Sequence, residues 1–372
     1  VEAVVGSPHD LQLDGTKIGF YRERVEAWKR GERIAPITVD GAWTRKCAAS
    51  CGFCYAQLQA SEDTTFTQKT AYEFLEDAAE VGVKGFSLIS DGESTEVPYF
   101  ADSVKYGSEL GLQIGTSSNG LRLTRPVLEK ILPHLTYLRF NFSGGERHRW
   151  AQIMGLKQAL YDRVVDNIKA AMEIKRRDNL PVNVNIQFVV RPEDGDQIMP
   201  FARLAKELRV DYGIMKHCAE SVTDDLRVDY RKYSDLFPAF EEAERLSDDE
   251  CRIAVKWSRI QDDGKRDYSR CYGPPFLIQF SGSGIVSTCG QKFNAKFAKF
   301  HAGNLTRQRF RDILKSDRYW EIMNYIASEE FDPRTECGEN CLQTRTNSWL
   351  YHHINGRADF PTSNPPPHLG FL

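Results

Sequence analysis

Three cysteines fall within eight residues, Cys47, Cys51 and Cys54, in the run Lys46-Cys47-Ala48-Ala49-Ser50-Cys51-Gly52-Phe53-Cys54-Tyr55. Three closely spaced thiolates can ligate three irons of a cubic [4Fe–4S] cluster. The fourth iron then has no protein ligand, so it can chelate a small molecule and pass it an electron. Structural zinc sites use four ligands, commonly in pairs, and no nearby His or Cys supplies a fourth here. Four more cysteines lie downstream, Cys271, Cys289, Cys337 and Cys341. Four thiolates in two separated pairs can fill every corner of a second [4Fe–4S] cluster. A four-cysteine zinc ribbon would use tight Cys-x2-Cys knuckles, and the wide gap from Cys271 to Cys289 departs from that.

These residues need a scaffold, and the middle of the chain alternates strand and helix. Ile37-Thr38-Val39 reads as a first strand leading into the cysteine loop. Ala71, Phe74, Leu75 and Ala78 form an apolar helical stripe that ends at Gly82. Further strands are expected at 86–89, 112–116, 137–142, 182–190 and 210–215. A long helix between the fourth and fifth carries Tyr161, Val164, Val165, Ile168 and Met172 on one face. Repeated strand and helix imply an α/β fold with a parallel sheet. Six units are fewer than the eight of a closed barrel, so the expectation is an open (β/α)6 partial TIM barrel. In such sheets chemistry collects at the carboxyl ends of the strands, where the cysteine loop lies. Past Ala219 the alternation is expected to stop. Phe276 to Phe280 and Ile285 to Thr288 read as a hairpin turned at Ser281-Gly282-Ser283-Gly284, with a helix through Phe310, Ile313 and Leu314 beyond it. The expected divisions are a helical lead-in (1–35), the core (36–218), a linker with helix near 230–246 (219–270), a small hairpin and helix domain (271–345) and a tail (346–372). His352-His353 reads as a packed helix end, and the tail with Pro365-Pro366-Pro367 as extended chain that covers the open end of the sheet or lies loose.

The Cys-x3-Cys-x2-Cys spacing with Phe53 before the last cysteine resembles the signature of the radical S-adenosylmethionine (SAM) superfamily. The resemblance implies that the open iron binds the amino and carboxylate groups of SAM and that electron transfer yields methionine and a 5′-deoxyadenosyl radical. Tyr55, after the last cysteine, joins the cofactor-binding candidates. Ser90-Asp91-Gly92-Glu93-Ser94-Thr95 looks like the family's Gly-Gly-Glu-Pro segment. Only Gly92 and Glu93 match it, and they would meet the SAM amino group. Ser117 and Asn119 end the third strand, where relatives face the SAM ribose. Ser143 ends the fourth, where many relatives touch the methionyl part. Met154 stands where an Arg often pairs with the SAM carboxylate, which leaves Arg147, Arg149 or Arg191 for that task. Gln187 and Arg191 end the fifth strand as further candidates, or else face solvent. The downstream cysteines resemble a SPASM/twitch extension. With four cysteines the shorter twitch form fits, holding one auxiliary [4Fe–4S] cluster on Cys271, Cys289, Cys337 and Cys341.

Composition is ordinary for a globular protein of 372 residues, at 41% hydrophobic and 27% charged. A net charge of −3 gives no field that would draw nucleic acid or anionic lipid. No apolar run reaches membrane-spanning length. Nine cysteines outside a short secreted frame argue for metal ligation in a reducing, cytoplasmic compartment rather than disulfides.

The leading expectation is a radical SAM oxidoreductase. It would take a hydrogen atom from a small polar substrate of sugar or aminocyclitol type, with the auxiliary cluster accepting an electron and a flavodoxin- or ferredoxin-type protein supplying one. Three alternatives stand beside it. Cys218, in Lys216-His217-Cys218 at the end of the sixth strand, could return a hydrogen atom as the catalytic thiol of an epimerase, or be a buried small hydrophobe. The substrate could be a ribosomal peptide, although only some forty residues precede Cys47. The protein could also be a non-enzymatic iron–sulfur protein. Cys251 is expected in an acidic helical stretch, inert.

Overall fold

A computed structural model describes residues 15–59, 66–261, 265–338 and 341–372. One sheet of ten strands organises it, in the order β10-β9-β8-β1-β2-β3-β4-β5-β6-β7. The strands are β1 (Thr38–Gly41), β2 (Gly85–Leu88), β3 (Gln113–Ser118), β4 (Tyr137–Asn141), β5 (Asn183–Val190), β6 (Tyr212–His217), β7 (Arg252–Val255), β8 (Leu277–Phe280), β9 (Ile285–Ser287) and β10 (His301–Asn304). β1 to β7 pair in parallel, each beside its sequence neighbour. β8 adds to β1 in parallel, and β9 and β10 follow as antiparallel strands.

The connecting helices are α1 (Arg22–Lys29) before the sheet, then α2 (Gln68–Val81), α3 (Phe100–Glu109), α4 (Arg125–Ile131), α5 (Arg147–Met154), α6 (Tyr161–Arg177), α7 (Ile198–Leu208) and α8 (Phe237–Glu244). Local chemistry sets their ends. Thr67 caps α2 by accepting from Thr70 N, and Gly82 closes it in the left-handed conformation. The parallel strand and helix units form the expected partial barrel. The alternation continues past Ala219, however, because α8 leads into β7, which extends the sheet beyond β6. Cys251 is therefore not helical: it sits just before β7, with its N–H donating to Asp248 Oδ1 at 2.9 Å.

Strand alternation gives the sheet two unlike faces. Val39, Phe86, Leu88, Leu138, Phe140, Val184, Ile186 and Phe188 join the apolar core with the helices. Their neighbours Thr38, Asp40, Ser87, Tyr137, Arg139 and Gln187 face a cavity. Gly115 makes room on the inner side: a Cβ there would lie 2.1 Å from the Tyr137 ring.

The end of the described chain closes the mouth of the barrel at the amino ends of its strands. Gly370 O accepts from Thr38 Oγ1 at 2.8 Å, and Gly370 N donates to Gln113 Oε1 at 2.9 Å. Gly85 permits the crossing, since a Cβ there would meet Gly370 O at 2.0 Å. Phe371 is 1% exposed and stands edge-on to Tyr137 at 5.1 Å. The tail thus covers the barrel end, after a helix (Thr344–Ile354) that holds His353 against Trp349. Phe371→Ala should leave a void between Tyr137 and the tail and cost about 3 kcal/mol. Thermal unfolding of the variant should begin several degrees lower, and an unchanged midpoint would contradict this packing.

Candidate functional site

The first cysteine loop leaves β1 and is seated by the end of α5. Ser50 N donates to Met154 O at 3.2 Å and Gly52 N to Ile153 O at 3.0 Å. Gly155 lets the two segments meet, since its Cβ would lie 2.2 Å from Ser50 O at a φ of +60°. Met154 Sδ lies 3.9 Å from Cys51 Sγ. The residue that replaces the expected Arg thus packs against a cysteine.

Cys47, Cys51 and Cys54 line one cavity of about 130 Å³, together with Arg45, Gly92, Glu93, Asn119 and Asn141. Burial, then the Cys54 and Cys47 thiolates, push the Cys51 thiol up. Ionising all three thiols in this place needs a cation between them, as iron would provide. The donor set and the space beside it therefore fit a cluster with room for a small ligand.

Glu93 connects the strand ends to that loop. Its Oε2 accepts from Asn119 N at 2.7 Å and its Oε1 from Thr95 Oγ1 at 2.7 Å. Asn119 Nδ2 in turn faces Cys47 Sγ at 3.8 Å. Gly92 reaches its place only without a side chain, because its Cβ would lie 2.0 Å from Thr44 O at a φ of +115°. Ser117 Oγ and Gln187 Nε2 both donate to Asn141 Oδ1 at 3.1 Å. Ser143 is fully buried and accepts from Val189 N at 3.1 Å.

The expected cations are already engaged. Arg147 pairs with Asp162 on the surface. Arg149 pairs with Asp194 and Asp196. Arg191 pairs with Glu193 and Asp194, and its guanidinium stands 3.2 Å from where a Gly52 Cβ would be, over the cysteine loop. Cys218 is fully buried, with its Sγ 3.7 Å from Phe53 O and 3.7 Å from Ala219 O. It lines neither this cavity nor the next, whereas Lys216 and Ala219 do line the larger one.

That larger cavity, about 240 Å³, lies in the barrel below the cysteine loop and shares Ala56, Ser90 and Asp91 with the first. Sequence reasoning missed three residues here. Asp91 stands where the family pattern has Gly, and it accepts from Arg45 Nε at 3.0 Å, Ser281 Oγ at 2.6 Å and Gly282 N at 2.7 Å. It ties β2 to the cysteine loop and to the β8–β9 turn. Asp40 accepts from Gln279 Nε2 at 2.9 Å, and burial pushes its carboxyl up to about 6. Arg139 lies inside the barrel on β4. The signal for Asp40 and Arg139 was a polar residue alternating with apolar ones within a strand.

The four downstream cysteines converge. Burial, then the Cys341, Cys337 and Cys289 thiolates, push the Cys271 thiol well up. Arg266 and Lys292 add positive charge beside Cys337. Gln343 N and Asn347 Nδ2 approach Cys341 Sγ at 3.4 and 3.9 Å. Among the described residues no three His, Cys, Asp or Glu gather to hold a single metal ion. In a cluster each cysteine binds its own iron, so the thiols need not meet at one point. Their neighbours Gly290, Leu342 and Gln343 line the barrel cavity.

A family model described as the radical SAM superfamily matches residues 42–205. The chain thus carries a radical SAM domain. It is 24% identical over 319 residues, 82% of this chain and 88% of the relative, to an AdoMet-dependent heme synthase of Methanosarcina barkeri. It is 21% identical over 309 residues, 79% of this chain and 85% of the relative, to a tungsten-containing aldehyde ferredoxin oxidoreductase cofactor-modifying protein of Pyrococcus furiosus. Among solved structures, Streptococcus suis SuiB bound to S-adenosylmethionine shares the fold with a TM-score of 0.64 at 16% identity, over 92% of this chain and 80% of that one. Native anSMEcpe with bound AdoMet does so with a TM-score of 0.58 at 13% identity, over 90% and 94%. The matched span of this radical SAM enzyme holds the first three cysteines, Glu93, Asn119, Ser143, Gln187 and Arg191, and stops before the downstream cysteines. No helix among the described residues is long and apolar enough to cross a membrane.

Asp40 gives a prediction with a definite sign. Its folded pKa of about 6 lies above the ordinary 3.8, so the folded state holds the proton more tightly. Stability should fall as pH rises from about 4 to about 6 and stay level above that. Asp40→Asn keeps an acceptor for Gln279 and removes this cost, a gain of about 3 kcal/mol at pH 7.5. The gap between the two denaturation midpoints should shrink to less than half at about pH 4.5. A gap independent of pH would mean that Asp40 does not titrate as its burial implies.

Proposed function

We propose that this radical SAM enzyme is an oxidoreductase that binds a small polar substrate in the barrel and oxidises it with the help of an auxiliary [4Fe–4S] cluster. One observation carries the reading: the first cysteine set and the chain neighbours of the second line two adjoining cavities. The first set lines the upper cavity, which shares Ala56, Ser90 and Asp91 with the barrel cavity. Cys289 and Cys341 adjoin the lining residues Gly290 and Leu342. Tyr55 lies between the sets, its phenol pushed well up by burial and then by the Cys289 and Cys54 thiolates.

In this reading Cys47, Cys51 and Cys54 hold a [4Fe–4S] cluster that binds SAM, with Gly92, Glu93 and Asn119 at the ligand's side. Cys271, Cys289, Cys337 and Cys341 hold the second cluster, in a twitch-like extension built on β8 and β9. When bound, the first cluster with SAM supplies a hydrogen-abstracting 5′-deoxyadenosyl radical, and the second supplies a one-electron acceptor. The chain's own groups do the rest. Asp40 and Gln279 hold polar substrate groups. Above about pH 6 the Asp40 carboxylate takes the proton that a hydroxyl-bearing carbon releases as it becomes a carbonyl. The Phe371 tail and the aromatic walls exclude water. A flavodoxin- or ferredoxin-type protein is the proposed electron donor.

The polar lining of Asp40, Ser87, Gln187, Gln279 and Gln343 supports a polar substrate. Peptide modification is the second reading. It draws on the fold shared with SuiB, whose structure is also known with its precursor peptide SuiA, at a TM-score of 0.63 and 15% identity over 97% of this chain and 82% of that one.

Anaerobic incubation of the reconstituted protein with SAM and dithionite should release 5′-deoxyadenosine, and none above a Cys47→Ala control would refute SAM cleavage. Iron should saturate near eight atoms per chain. It should fall to about four when Cys271 and Cys289 are changed to Ala. Saturation near four in the unaltered protein would remove the auxiliary cluster.

A further inference from the structure

One row of residues crosses the inner face of the sheet at a single register. Gln279 on β8 stands beside Asp40 on β1, and Asp40 beside Ser87 on β2. Ser87 pairs with Gly115 on β3, and Gly115 with Tyr137 on β4. The side chains of this row line the barrel cavity and form one chain of hydrogen bonds. Gly115 has no side chain, so Tyr137 reaches across it and donates from its hydroxyl to Ser87 Oγ at 3.0 Å. Ser87 in turn donates to Asp40. From the other side Gln279 Nε2 donates to Asp40 Oδ2 at 2.9 Å.

The far end of the Gln279 amide faces the second cysteine set. Its Oε1 accepts from Gly290 N, the peptide nitrogen that follows Cys289. Gly290 permits this approach, since a Cβ there would lie 3.1 Å from Gln279 Oε1. One amide therefore joins a titratable carboxyl to the loop of a proposed cluster ligand. Gln279 is 7% exposed, so little water screens the path. Like charges in such a setting raise one another's hold on a proton, and hydrogen bonds in series polarise one another. The other groups around Asp40 leave it free to respond. Arg139 on β4 favours its charge, while burial holds the carboxyl up to about 6. Tyr55 and Tyr137 are phenols that burial keeps neutral. Asp91, which is paired with Arg45, and Lys216 and Lys256 complete the charged lining of the cavity.

We propose that Gln279 is a positioning residue that couples the proton on Asp40 to the oxidation state of the cluster held at Cys289. In the oxidation described above, a carbon radical bearing a hydroxyl loses one electron and its O–H proton as its C–O bond becomes a carbonyl. The electron goes to the second cluster. The proton goes to the Asp40 carboxylate, which becomes a carboxylic acid. Because the two acceptors are coupled, each transfer favours the other. This rests on the second cysteine set holding a redox-active cluster, as in the reading above, but not on which substrate is oxidised.

The midpoint potential of the second cluster tests it. Reductive titrations of the reconstituted protein are followed by electron paramagnetic resonance from about pH 5.5 to about pH 8, using the signal that SAM leaves unchanged. Reduction should tighten the hold on the Asp40 proton roughly tenfold, so the potential should fall by about 59 mV as pH rises. Asp40→Asn should make the potential independent of pH. Gln279→Met, similar in length but making neither bond, should remove most of the slope. Gln279→Asn, too short to span both partners, should do the same and carries the test if the Met variant does not fold. Iron near eight atoms per chain checks the clusters of each variant. A second signal whose potential ignores pH in the unaltered protein overturns the proposal and leaves the cluster in place. A slope lost in Asp40→Asn but kept in both Gln279 variants overturns the role of Gln279. Absence of a second signal removes the cluster reading and this proposal with it.

Discussion

A single buried carboxylate joins the three parts of the chain that must meet for the site to exist. Asp91 lies at the end of β2, accepts from Arg45 just ahead of the cysteine loop, and accepts from Ser281 and Gly282 at the hairpin turn, 190 residues further on. It is 3% exposed, so its charge has no solvent to fall back on. Removing one partner of such a buried pair typically costs about 3–5 kcal/mol. Because the interaction weakens steeply with poor geometry, it also fixes register. The β8–β9 hairpin is held where Gly290, Leu342 and Gln343, neighbours of the second cysteine set, line the cavity that adjoins the one lined by the first set.

Around that junction the sheet separates two environments by alternation alone. Apolar residues of β1 to β6 pack outward against the helices, and polar ones point into the barrel. The tail seals the lower mouth through Gly370 and Phe371. The result is a polar chamber with charged groups inside, closed below and bordered above by cysteines. This is the arrangement that reactive radical chemistry needs, since it admits a polar substrate and keeps bulk water out.

Much of this was legible in the residues. The cysteine spacing, Gly92-Glu93 and Asn119 mark the upper site because each has a short-range reason: a ligand set, a positive φ, a strand-end turn. The strands and the hairpin were legible because their apolar runs end at Gly, Ser or Asn. What the sequence hides is direction. In Tyr137-Leu138-Arg139-Phe140-Asn141 the alternation is plain, but a period of two looks the same whether the polar face meets water or a barrel lumen. Asp40 and Arg139 were missed for that reason. Asp91 was missed because its partners lie far away in the chain. The strand β7 was missed because four residues at a sheet edge, with only Ile253 well buried, give little pattern.

The central claim is that two distinct clusters serve one chamber. Electron paramagnetic resonance of the dithionite-reduced protein, recorded with and without SAM, tests it most directly. Two overlapping reduced-cluster signals are predicted, one of which shifts when SAM occupies its open iron while the other, held by four cysteines, stays unchanged. A single signal, or two signals that both shift with SAM, would contradict the account.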